Sequence, residues 1–255
     1  MLPNIYSLEE IEILREGGKR LNFILHEVAK AVKVGATPDE LNSIAEDLIK
    51  EGGDVASFYN FKVPGQRPYP SSLCVSVNDE AVHGIGKGNF RKLEEGDIVN
   101  IDLGLTHKGL VTDKTLMLGV GKIASEDINL IETTKLALEA GIREIKAGKT
   151  TGDIGNAIGF VVKKRGFNVV KELGGHGVGR GVHEEPFVPN FGKKGEGTFL
   201  KKNMVLALEP IVTKGNGKIF TADDGHTYMS ADGANVAQWE DTVLVTENGY
   251  EILTR

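Results

Sequence analysis

Apolar and polar positions along the chain alternate between a helical and a strand-like rhythm. From Ser7 onward, Ile11, Leu14, Leu21, Leu25, Val28 and Val32 fall on one face of a 3.6-residue period. Ser7 and Glu10 form a capping box at the start of that helix, which stops near Gly35. Thr37-Pro38-Asp39-Glu40 starts a second helix with proline at its first position. It buries Leu41, Ile44, Ala45 and Leu48 and ends at Gly52-Gly53. A loop rich in proline and aromatics covers residues 58–70. Residues 73–77 then read as a strand, Asn78-Asp79-Glu80 as a turn, and His83-Gly84 follows.

Residues 97–103 begin a hairpin, and the stretch 100–115, NIDLGLTHKGLVTDKT, organises the chain around it. Apolar positions alternate with small or polar ones on both sides of Thr106-His107-Lys108-Gly109. With the turn centred between His107 and Lys108, Asp102 and Asp113 stand opposite one another on one face, Cβ atoms about 5 Å apart. Two facing carboxylates repel, and a cation between them removes the conflict. Two surface acids on an exposed hairpin would need no cation, so the other ligands have to come from elsewhere in the chain.

The second half repeats the plan. Ser125 starts a long helix reaching about Lys146, and residues 150–153 start another that ends at Gly166. KVGATPDEL from Lys33 aligns with KAGKTTGDI from Lys146, and LEEGDIVNID from Leu93 with LKKNMVLALE from Leu200. The second alignment pairs Asp102 with Glu209. These likenesses predict one domain spanning 1–255 with pseudo-repeats of about 7–120 and 125–250. Helices on one face of a mostly antiparallel, curved sheet make the class α+β, with a site at the seam of the halves.

The densest chemical signal is GGHGVGRGVHEEP from Gly174 to Pro186. Glycines flanking His176 shape the backbone tightly and leave the imidazole facing a cleft, as a metal ligand or catalytic group. His183 is a second candidate. Glu184 and Glu185 read as cap or ion-pair residues. Glu209 closes the apolar run 204–208, and Glu240 sits in a similar run with Asp241 on the opposite face. Acids beside such runs need partners, and the chain has few arginines in apolar surroundings. Asp102, Asp113, His176, Glu209 and Glu240 together suit two hard or borderline divalent ions, whose four positive charges balance four carboxylates. Two metals sharing an oxygen suit hydrolysis.

Composition narrows the setting. Net charge is −6 with a pI near 5.6, so a basic footprint for nucleic acid is not expected. No apolar run approaches the roughly 20 residues that cross a bilayer, and no membrane partner is expected. The N-terminus shows no signal-peptide pattern. A single cysteine, Cys74, excludes an internal disulfide and fits a reducing, cytoplasmic setting. Oligomeric state is expected to be monomeric by default.

These residues resemble type I methionine aminopeptidase, of the pita-bread fold, over nearly the whole chain. The motifs that carry the likeness are SVNDEAVHGIG, GDIVNIDLG, GHGVGRGVHEEP, ALEPIV and QWEDTVLVTENGYEILT. The resemblance implies a dinuclear centre of manganese, iron(II), cobalt or zinc. Asp113 and Glu240 would bridge the ions, Asp102 would hold one, and His176 with Glu209 the other. It implies that a bridging water or hydroxide attacks the carbonyl after an N-terminal methionine, with Glu209 as proton carrier. His183 would meet the carbonyl or oxyanion and His83 the peptide nitrogen. Tyr69 and Cys74 match positions lining the methionine pocket. The implied partners are peptide or nascent-chain N-termini, met at the ribosome.

The chain departs from the family pattern at several wall positions. Thr112 stands where a glycine is usual, Val182 where a bulky aromatic is common, His226 about where a tryptophan often covers the pocket, and Asp241 where histidine usually follows the last glutamate. The ligands are intact while the wall is altered, so side-chain specificity is more open than hydrolysis. An Xaa-Pro peptidase of the same fold is the alternative; such enzymes usually carry an extra N-terminal domain, and the HEEP motif favours the methionine branch. Type II relatives usually carry a helical insertion, absent between His183 and Glu209. A non-enzymatic module of this fold would commonly lack ligands, and all five are present here.

Overall fold

The computed structural model describes residues 3–62, 65 and 67–255; positions 63, 64 and 66 of the 58–70 loop lie outside that description. The first half contains α1 (Leu8–Ala31), α2 (Pro38–Glu51), β1 (Val55–Ala56), β2 (Cys74–Val77), β3 (Glu80–Val82), β4 (Ile98–His107) and β5 (Leu110–Gly119). The second half contains α3 (Ser125–Arg143), α4 (Thr151–Lys164), β6 (Asn168–Val169), β7 (Gly174–Gly177), β8 (Glu184–Pro189), β9 (Val205–Leu208) and β10 (Ile211–Thr213). It closes with β11 (Ile219–Thr221), β12 (Tyr228–Ser230), β13 (Val236–Gln238), β14 (Asp241–Val245) and β15 (Tyr250–Ile252). Among the described residues no helix is long and apolar enough to cross a membrane.

Local chemistry sets the helix starts. Ser7 with Glu10, Thr37 with Glu40 and Thr150 with Asp153 each form a reciprocal capping box, and Pro38 opens α2. The buried stripe of α1 holds Ile11, Leu14, Leu21, Leu25 and Val28 as expected, while Val32 is the half-buried cap. In α2, Leu41 and Ala45 are buried, but Ile44 and Leu48 are only half-buried, and Asn42 and Ile49 go inside. Asn42 earns that place by accepting from the Ser72 and Leu73 amides. The third helix ends at Arg143 rather than near Lys146, because Ile145 turns into the core and the Ala147 amide bonds the Thr246 carbonyl.

Among the described residues every strand pairing is antiparallel. One sheet has β4 at its centre, with β5 on one edge and β1 and β2 sharing the other. The largest sheet runs β15-β14-β9-β7-β8. A bridge between Thr115 and Glu240 joins the two systems. Helices α1 and α2 cover one core around Leu21, Leu25, Leu41, Val99 and Ile101. Helices α3 and α4 cover another around Leu138, Ile154, Leu206 and Val243. Both halves use the same joint. The Gly35 amide donates to the Leu93 carbonyl and the Leu93 amide to the Ala36 carbonyl; Gly148, Leu200 and Lys149 repeat the pair, at 2.8–2.9 Å. Gly35 and Gly148 have φ of 85° and 88°, a left-handed bend that glycine takes without strain.

The hairpin register differs from expectation by one step at the turn. Lys108 and Gly109, at φ 47° and 84°, form the two-residue turn, so its centre lies between them. Asp102 therefore pairs with Thr115, and Asp113 with Gly104. The two carboxylates are diagonal rather than directly opposite. A two-position offset preserves the side on which side chains point, so both still face the same way. Gly104 has no side chain to fill the site across from Asp113, and the Phe58 ring lies over it.

Candidate active site

Alternation along β4 and β5 places Asn100, Asp102, Asp113 and Thr115 on one face. Gln238 ends β13, and Glu240 follows two positions later, just before β14. Glu209 leaves the end of β9, and His176 projects from β7 in the largest sheet. Five side chains from both halves thus converge at the floor of one cleft of about 230 Å³.

Single ligand atoms of Asp113, His176 and Glu240 all lie within 4.8 Å of one another. His176 Nε2 stands 3.4 Å from Glu209 Oε1. The Asp102 and Asp113 carboxyls line the same cleft. His176 Nδ1 is 2.9 Å from the Gly177 carbonyl, which can only accept, so the proton sits on Nδ1 and the Nε2 lone pair points into the cleft. The glycines around His176 have a steric reason. A Cβ on Gly175 would run into the Ala207 carbonyl and one on Gly177 into the Glu185 carbonyl, because β7 is held between β8 and β9.

Burial raises all four acids above the carboxylate range, and mutual repulsion adds to it for Asp102, Glu209 and Glu240. Asp102 Oδ1 and Asp113 Oδ1 are buried without a hydrogen-bond partner among the described residues. His176 is pushed down to about 3 by burial, then by His183 and His83. A neutral imidazole and four acceptor carboxylates fit divalent cations. Uncompensated, the same set would be an expensive cluster of buried charge.

Side chains missed in the sequence hold these acids. Gln238 donates to Glu209 at 2.8 Å and accepts from Asn100 at 2.6 Å. Thr115 donates to Glu240 at 2.9 Å. The Thr242 hydroxyl bonds both the amide and the carbonyl of Asp113. Each of Asn100, Thr115 and Gln238 lies two positions from an acid, so strand alternation was the available signal. Asp241 points away from the cleft into a buried pair with Lys114 at 2.6 Å, reinforced by Arg255 and Thr254.

The wall runs outward from Cys74, which pairs with Asp102 across β2 and β4. Tyr69 follows, its hydroxyl donating to the Gly84 carbonyl at 2.8 Å. His226 stands edge-on to Tyr69 at 5.5 Å, with Phe58, Phe61, Val182 and Tyr228 completing the wall. His83 sits at φ 59°, a left-handed conformation unusual for a non-glycine residue and common at functional sites. Burial, then the His183 and His226 rings, lower it to about 4. His183 is exposed at the mouth, its ring 4.6 Å from His176 and 5.3 Å from Phe61. Glu184, read as a cap, accepts from the Gly181 amide, Asn4 and the Tyr6 hydroxyl, tying the N-terminal arm to the His183 loop.

Residues 12–247 match the model of metallopeptidase family M24. The methionine aminopeptidase of Clostridium perfringens is 42% identical over 245 residues, covering 96% of each chain. The crystal structure of methionine aminopeptidase from Rickettsia prowazekii superposes with a TM-score of 0.95 at 33% identity, covering all of both chains. The prolidase from Pyrococcus horikoshii shares the fold at a TM-score of 0.77 and 22% identity, with this chain covering 63% of it. With five potential ligands from two halves at one cleft floor, and this match across its length, the chain belongs to metallopeptidase family M24 and has its pita-bread fold.

Proposed function

We propose that this protein removes methionine from the free N-terminus of peptides and nascent proteins by hydrolysis. One observation carries the reading: four carboxylates and one imidazole share a cleft of about 230 Å³ with Phe58, Phe61, Tyr69, Cys74 and Val182. Asp102, Asp113, His176, Glu209 and Glu240 would hold two divalent ions. Manganese, iron(II), cobalt and zinc all suit that donor set. When bound, such ions acidify a water toward neutral pH and polarise a carbonyl.

The chain's own groups do the rest. Tyr69 and Cys74 receive the methionine side chain and fix the scissile bond above the acids. His183, at the mouth beside His176, donates to the scissile carbonyl oxygen as negative charge develops there. His83, neutral at pH 7, meets the peptide nitrogen. Glu209, already bonded to Gln238 on one oxygen, takes the water proton and returns it to the leaving amine. The cleft's depth excludes other water, which strengthens each of these interactions.

The protein acts as a monomer in the cytoplasm, meeting chains as they leave the ribosome. The two halves, 7–120 and 125–250, are pseudo-repeats within one domain, a reading supported by the repeated joint at Gly35 and Gly148. Met-Ala, Met-Leu and Ala-Pro peptides assayed side by side, with and without chelator, test the activity. Met-Ala should be cleaved fastest and chelator should stop it. Faster release from the proline peptide, or full activity in Asp113→Ala, overturns the reading.

A further inference from the structure

The mechanism leaves one pocket group without a task. His226 is 9% exposed and lines the cleft. Among the described residues neither of its ring nitrogens has a hydrogen-bond partner, although its backbone is firmly held. The His226 and Thr227 amides donate to Asp224 Oδ1 at 2.7 and 2.8 Å, and the Thr227 hydroxyl to Asp224 Oδ2 at 2.6 Å. The ring stands edge-on against Tyr69, on the wall that receives the first side chain. An imidazole carries at least one N–H in every tautomer and charge state. Neither nitrogen is among the fully enclosed, unpartnered atoms of the described residues, so water in the cleft can serve this N–H until a bound ligand replaces it. A polar atom on a ligand bound there can take the water's place.

Of the polar groups lining the cleft, which include Arg67 and Tyr228, the two set against the first side chain are poor donors. The Tyr69 hydroxyl is committed to the Gly84 carbonyl, and the Cys74 thiol is a weak donor. A first residue ending in carbon and sulfur gives His226 nothing to bond. A first residue of the same length with an oxygen on that sulfur does. We propose that His226 is a specificity-determining residue that lets the pocket accept N-terminal methionine sulfoxide as well as methionine. The inference rests on the peptidase reading above. The reaction is the same hydrolysis: the amide after the first residue breaks, the water's hydroxyl goes to its carbonyl carbon and a proton to the released amine. The sulfur keeps its oxidation state throughout.

The test compares a Met-Ala peptide with its sulfoxide in the metal-loaded wild type, His226→Phe and His226→Gln. Binding of free methionine amide and methionine sulfoxide amide is measured alongside by calorimetry. Wild type should cleave the sulfoxide within about tenfold of the methionine peptide. His226→Phe should lower the sulfoxide-to-methionine ratio by about tenfold or more in both kcat/KM and binding. His226→Gln, which keeps N–H donors, should restore much of the sulfoxide activity. His226→Leu serves as the apolar variant should phenylalanine not fold. Equal losses on both peptides, or no selective loss, overturn the assignment. Wild type that cleaves only the methionine peptide overturns this inference alone; wild type that cleaves neither overturns the peptidase reading with it.

Discussion

Removing the cations should destabilise the fold by an amount that four buried carboxylates dictate. Asp102, Asp113 and Glu240 are each at least 93% buried, and Glu209 lies beside them. Ions present at a hundredfold over Kd stabilise by about 2.7 kcal/mol per site, so two sites give about 5 kcal/mol. At about 2–4 °C per kcal/mol for a domain of this size, excess chelator should lower Tm by about 10–20 °C. The effect has a definite pH dependence. Asp113 is raised to about 7, mainly by burial, against an unfolded value near 4. The metal-free fold therefore holds an extra proton at Asp113, a contribution to stability that is full at acid pH and is lost as pH rises through about 7. Cations compete with those protons, so the gap between loaded and stripped protein should widen from pH 5 to pH 8. Glu240→Gln should flatten the pH dependence of the stripped protein while abolishing most of the gain from metal. Differential scanning calorimetry with and without chelator reads all of this. A chelator-insensitive Tm at pH 8, or an equal loss in both states for Glu240→Gln, would refute the reasoning.

Further outcomes follow from other contacts. Lys114→Met leaves Asp241 buried with Arg255 and Thr254 alone, and should cost about 3–5 kcal/mol in urea unfolding, while Lys114→Met with Asp241→Leu should recover much of it. Tyr6→Phe removes the bonds to Glu184 and from the Arg180 amide, and should cost about 1–3 kcal/mol; faster hydrogen exchange in 180–184 is the accompanying sign. Gly177→Ala drives a Cβ into the Glu185 carbonyl, and should lower metal content by plasma emission even where the protein still folds. His176→Ala should reduce metal affinity by calorimetry and peptidase activity by at least about a hundredfold.

What could be read from the chain was what local chemistry governs. The capping boxes at Ser7, Thr37 and Thr150 need only residues three apart, and all three helices start there. The acids beside strand runs were visible because an apolar neighbourhood makes a charge conspicuous. The hairpin centre slipped because Lys108 adopts φ 47°, a left-handed conformation that a lysine does not announce in sequence. Asn42 inside α2 was invisible for a similar reason: the amides it satisfies arrive from residues 72 and 73, thirty positions on. Gln238 and Thr115 were legible by alternation, yet only the folded chain shows that their partners are Glu209 and Glu240. The destination of Asp241, a lysine on the far strand of the hairpin, depends wholly on how β14 approaches β5.

Asp102 and Asp113 precede the link 121–124, exposed except for half-buried Ile123, and His176, Glu209 and Glu240 follow it. Severing the backbone there would divide the donors two and three, leaving each fragment inert by itself. Made separately and fused to two other proteins, the fragments would regain chemistry only when those carriers came together. The architecture is in this sense already a two-component reporter awaiting a cut.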